Sequence, residues 1–150
     1  MELADTLTRA VRAAPTTEPV QRTAARVARR LAGFLQHPDL LSPEHMEPDS
    51  AQYRQHVLHV DPQGRFSLVA LVWLPCQATP VHDHTTWCVV GTYLGTEEET
   101  SYRFVRLPDG RSVLRPVTGG VERGQRRCIS LIIEGISGGH KSREFVPRKS

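Results

Sequence analysis

The chain has 150 residues, 39% of them hydrophobic and 23% charged, with a net charge of +3. A chain of this size and composition buries one core without staples, which excludes a fibrous or wholly disordered protein and leaves little room for a second domain. The basic excess comes almost entirely from arginine, since Lys141 and Lys149 are its lysines.

The opening segment, MELADTLTRAVRAA, carries Glu2 and Asp5 and no unbroken apolar run, so neither a secretory signal nor an anchor is expected. The longest apolar stretch, Ser67 to Leu74, is far short of a membrane span. Cys76, Cys88 and Cys128 are widely spaced with no CxxC pair, which predicts reduced thiols and a cytoplasmic protein. Leu3 to Ala14 reads as a short amphipathic helix ended by Pro15. Within Glu18 to Gln36, Val20, Ala24, Val27, Leu31, Phe34 and Leu35 recur at helical spacing, with Thr17 or Glu18 before Pro19 as the start. Arg22, Arg26, Arg29 and Arg30 fall on the other face without interleaved aromatics. That is a solvated face, and no nucleic-acid partner is expected.

Pro38, Pro43 and Pro48 make His37 to Ser50 a connecting loop. From Tyr53 the texture changes to short β-branched and aromatic runs. Tyr53 to Val60 and Arg65 to Leu74 read as strands around the turn Asp61-Pro62-Gln63-Gly64. Trp87 to Leu94, Ser101 to Leu107, Arg111 to Val117 and Cys128 to Ile133 follow, with Pro108-Asp109-Gly110 as a hairpin turn. Many short strands behind a helical cap predict a mainly β fold, a small barrel or jelly roll. The expected organisation is a helical segment and loop over 1–50, a barrel over 51–136 and a flexible tail over 137–150, rich in glycine and basic residues.

The sharpest local feature is His82-Asp83-His84. In an extended segment, residues two apart project from one face, so both imidazoles can offer adjacent positions to one metal ion; imidazole alone does not choose among Fe, Zn, Cu and Ni. The bland alternative is a pair of surface histidines. In the run from Cys76 through His82-Asp83-His84-Thr85-Thr86-Trp87-Cys88 to Gly95, the chain resembles the first cupin motif, with Cys76 at its leading glycine, Cys88 at its glutamate and Gly95 at its closing glycine. Cysteine at the glutamate position, together with Gly64 to Trp73 leading into His82-Asp83-His84-Thr85, is similar to bacterial cysteine dioxygenases. The resemblance covers Tyr53 to Gly95 well and the region around Ser130-Leu131 more faintly.

That resemblance implies a cupin-type double-stranded β-helix, a jelly-roll barrel with an N-terminal helical cap. It also implies a non-haem Fe(II) held by three histidines, and oxidation of a small thiol by dioxygen to a sulfinate. His82 and His84 match the first two ligands. The third has no counterpart: Val117 to Arg127 contains no histidine, and His140 follows Gly138-Gly139. Ile132 stands at the outer-shell histidine and Glu134 at the active-site tyrosine, so Cys88 cannot form the crosslink some relatives have. Gln55 stands at the substrate-binding arginine, with Arg54 beside it as a substitute, and an amide lacks a guanidinium's charge and fork.

Glu134 could complete a two-His-one-carboxylate set, or it is an exposed strand-end glutamate; Glu122 carries the same two readings. Tyr53, Gln55 and His59 share one face of the first strand and line the pocket if that face turns inward. Cys88 and Tyr53 are thus the candidate catalytic residues; Gln55, Arg54 and Trp73 the substrate-side ones; His82, His84 and Glu134 the metal set. For Cys88 and Trp73, plain packing is the competing reading. Three functions stay open: an iron-dependent thiol dioxygenase, a degenerate cupin binding a ligand or partner without metal, and a zinc or other metal-dependent activity. Unpaired edges in a shortened barrel would invite a homodimer.

Overall fold

Two helices open the chain in the computed structural model, which describes residues 2–15, 17–84, 86–97, 99–117, 127–136 and 144–145. In α1 (Glu2–Arg12), Leu3, Ala4, Leu7 and Ala10 are buried, a single stripe at helical spacing. Its acidic first turn and basic last turn suit the helix dipole. Helix α2 (Val20–Phe34) starts directly after Pro19 and buries Thr23, Val27 and Leu31. Glu18 strengthens that start by accepting Arg26 Nη2 at 2.6 Å and Thr23 Oγ1 at 3.0 Å. Arg26 also donates to the carbonyl of Ala10 at 3.2 Å, so it ties the two helices together instead of standing in solvent with the other arginines.

After a 3-10 turn at Pro43–Met46, the chain is strand-rich: β1 (Arg54–Val60), β2 (Phe66–Trp73), β3 (Val81–His82), β4 (Cys88–Leu94), β5 (Tyr102–Arg106), β6 (Ser112–Pro116), β7 (Cys128–Gly135) and β8 (Glu144–Phe145). All pairings are antiparallel. The main sheet runs β1-β2-β7-β4, β5 and β6 form a hairpin, and β3 pairs with β8. The fold is therefore mainly β with two helices, as expected. The barrel is not closed among the described residues, where the ladders form three separate sheets. Pro80 immediately precedes the short β3, and a residue without an N–H cannot extend the ladder in that direction. Within 137–150, which composition marks as a loose tail, Glu144–Phe145 is a strand on Val81–His82.

Alternation along β2 and β7 sorts residues between two environments. Phe66, Leu68, Ala70, Val72, Ile129, Leu131 and Ile133 are fully buried against the helices and share one core with Leu3, Leu7, Val27 and Leu31. Helices α1 and α2 thus share one core with β2 and β7. Helix α2 approaches β4 at Gly91, where a Cβ would stand 2.7 Å from Leu31 Cδ2. The opposite face of the sheet lines a cavity. Among the described residues no helix is long and apolar enough to cross a membrane.

Candidate functional site

The cavity has a volume of ≈ 1210 Å³ and is walled by the outer face of the main sheet, the β3 segment and the β5-β6 hairpin. Tyr53, Gln55, Trp73, His82, His84, Cys88 and Glu134 all line it, so most of the residues singled out in the sequence meet in one place. Two do not. Arg54 pairs with Val72 across the ladder, on the helix-side face, and its guanidinium lies 3.6 Å from Glu47. His59 is the second: the β1-β2 register shifts between Val57 and His59, so His59 pairs with Leu68 on the core side and lies beside the Phe66 ring at 5.6 Å. A bulge inverts every residue after it, which strict alternation cannot anticipate. His140 and Glu122 lie outside the described residues.

Backbone turns set the histidine segment at both ends. Leu74 to Gln77 closes with Gln77 N–H on the carbonyl of Leu74 at 3.1 Å, Pro75 taking the second position and Cys76 the third with φ +70°. A left-handed third residue is what such a turn requires, and glycine supplies it without strain. The Gln77 amide reinforces the turn by accepting Leu74 N–H at 2.8 Å and donating to the carbonyl of Asp49 at 2.8 Å. At the far end Gly95 has φ +78°, and a Cβ there would meet the carbonyl oxygen of Arg127 at 2.6 Å.

Between these turns the His82 and His84 rings stand 4.9 Å apart, nearly edge to face at 72°. His82 Nδ1 lies 2.8 Å from the carbonyl oxygen of Pro80. A carbonyl only accepts, so this nitrogen carries a proton and leaves Nε2 with a lone pair when the ring is neutral. His84 Nδ1 lies 3.1 Å from Glu134 Oε1, the same arrangement with a carboxylate as acceptor. Both rings can therefore offer Nε2 to a metal, each held from behind by an oxygen, a usual feature of metal-bound histidine. The donor chemistry fits two positions on an ion such as iron or zinc. Among the described residues no group of three His, Cys, Asp or Glu side chains could hold a metal ion, so a third protein donor is not supplied there.

Strands β4 and β7 bring Cys88 directly opposite Glu134. Burial pushes the Cys88 thiol up to about 12, and the negative charges of Glu134, Glu99 and Glu97 push the same way. Cys88 of the metal-free chain thus stays a neutral thiol near pH 7. Ser130 donates to Glu97 and lies 3.7 Å from Cys128 Sγ. The Tyr53 ring stacks on Trp73 at 4.8 Å and 30°, making one aromatic wall, and the Trp73 indole N–H is buried without a partner among the described residues.

Sequence reasoning missed the Pro80 carbonyl and Glu97. A signal for Glu97 was present: Ser130 sits on the same face of β7 as Glu134, so a buried polar residue four positions from a candidate required a partner. Among the charged side chains around the cavity, Asp83, Glu97, Glu99 and Glu134 are acidic, and no described Lys or Arg lines it. No protein-family model matches the chain.

Proposed function

We propose that the chain is a cupin-type jelly roll whose cavity holds a non-haem Fe(II) through His82 and His84 and oxidises a small thiol with dioxygen. The observation that carries this reading is the pair of adjacent imidazoles, each with Nδ1 committed to an oxygen and Nε2 left for a metal, on a cavity large enough for a small molecule. The strand pairings support the jelly roll. Rolling up a long eight-strand hairpin sets strand 2 beside 7, 7 beside 4, and 3 beside 8, and these ladders are present; β1 on the edge of β2 and β5 paired with β6 are the departures. The positive φ values of Cys76 and Gly95, at the two positions where the resembling motif carries glycine, support the alignment of the motif itself.

Bound iron would supply neighbouring coordination positions for thiol sulfur and dioxygen. The overall conversion is R–SH + O2 to R–SO2H: both oxygen atoms end on sulfur, which is oxidised as dioxygen is reduced. The chain's own part is binding and orientation. His82 and His84 keep their protons on Nδ1. Tyr53 and Trp73 form a flat wall, and Gln55 offers a neutral amide where the resembling enzymes hold a carboxylate with arginine. With acidic groups around the cavity and no described basic one, a thiol lacking a carboxylate suits it better than a mercapto acid.

The test is thiol-dependent oxygen uptake by iron-loaded protein, with the product identified as sulfinate by mass. Uptake that vanishes in His82→Ala supports the reading. Iron binding without uptake for any small thiol favours the second reading, a cupin that binds a ligand without this chemistry. The specific observation behind that alternative is the missing third donor among the described residues.

A further inference from the structure

We propose that Glu134 is a positioning residue for His84: its carboxylate fixes the ring so that Nε2 faces the metal, and Glu134 is not itself a ligand. This rests on the reading of His82 and His84 as the metal-binding pair. It is neither of the two roles the sequence allowed for Glu134, a metal ligand or an exposed strand-end residue.

Glu134 is the rigid member of the pair. Glu134 lies on β7, paired on both sides, with Ser67 across one ladder and Cys88 across the other. The strand end is pinned further: Gly135 N–H bonds the carbonyl of Trp87 at 3.0 Å, and the Trp87 and Thr86 side chains press so closely on Gly135 that a Cβ there would stand 2.6 to 2.7 Å from them. His84 is the opposite case. It follows the two-residue β3 in irregular chain, with no ladder of its own. A contact between the two therefore transfers the order of the sheet to the ring.

The direction of that contact matters more than its strength. In water a neutral histidine ring favours the proton on Nε2, which would block the nitrogen a metal needs. An acceptor at Nδ1 reverses the preference. For His82 a backbone carbonyl does this, and no side chain is required; for His84 the acceptor is Glu134 Oε1 at 3.1 Å. The carboxylate thus sits at Nδ1, on the side of the ring turned away from Nε2, which is where a partner that orients a ligating histidine stands.

The test compares Glu134→Ala and Glu134→Gln in the full chain, because the amide oxygen of glutamine can still accept from Nδ1 while its charge is gone. Ring nitrogen chemical shifts of the metal-free protein at about pH 8, where histidine is mostly neutral, give the tautomer directly. The expected result is Nδ1–H at His84 in the wild type and in Glu134→Gln, and predominantly Nε2–H in Glu134→Ala. Titration with Co(II) should show affinity reduced about 10–100-fold in Glu134→Ala and largely retained in Glu134→Gln. Equal losses in both variants would mark Glu134 as a charged ligand and overturn the proposal. So would a His84 tautomer unmoved by Glu134→Ala in a chain that binds Co(II). A wild type that takes up no Co(II) overturns the metal reading and this role together.

Discussion

The two faces of the main sheet are built from the same strands and answer to different physics. On β2 and β7 the helix side is uniformly apolar and fully buried: Phe66, Leu68, Ala70, Val72, Ile129, Leu131 and Ile133. The cavity side alternates with it residue by residue and carries Trp73, Cys128, Ser130, Ile132 and Glu134. Stability therefore resides on the odd positions of β7 and the candidate chemistry on the even ones. Neighbouring substitutions should separate the two.

The largest expected effect comes from Leu131→Ala, which opens a cavity under α2 and should cost about 2–5 kcal/mol in denaturant unfolding. Its neighbour Ile132→Ala, on the half-buried cavity side, should cost clearly less; equal losses would break the two-face description. Gly95→Ala comes next. It puts a Cβ on a left-handed residue and against the backbone of Arg127, so a loss of about 1–3 kcal/mol is expected by thermal or urea unfolding.

Asp61 gives the comparison a pH dependence. Its buried carboxylate accepts Arg65 Nε at 2.7 Å and Nη2 at 2.6 Å, and these bonds lower its pKa from 3.8 to about 2. A carboxyl depressed on folding contributes stability in full above 3.8 and loses it as pH falls from there through about 2. Asp61→Asn should be about 1–3 kcal/mol less stable near neutral pH. Its stability should also fall less steeply than the wild type's on acidification between those values. Identical acid profiles would remove Asp61 as their source. The smallest effect is expected at Cys76→Gly, which relieves a left-handed non-glycine residue and should stabilise by up to about 1 kcal/mol. A loss there would mean that the Cys76 side chain does more than tolerate its turn.

Much of this was legible in the chain because it is local. The stripe Leu3-Leu7 and Val27-Leu31, the glycine turns and the alternation of β2 and β7 fix helices, strands and faces with a residue or two of error at the ends. The His82-Asp83-His84 pair was equally plain. What stayed hidden depends on contacts between distant segments. The bulge that sends His59 to the core and the bond from His84 to a glutamate fifty residues on leave no periodic trace. Closure of the barrel is not seen among the described residues, and strand count could not foretell it: that count is local, whereas the ladders that join sheets are not.

The claim beneath the functional account is that His82 and His84 bind one ion together, and metal content after anaerobic iron loading and desalting tests it most directly. The account predicts about one iron per wild-type chain and essentially none when both histidines are replaced by alanine in a folded variant. Equal iron in the two proteins, or none in either, would contradict it.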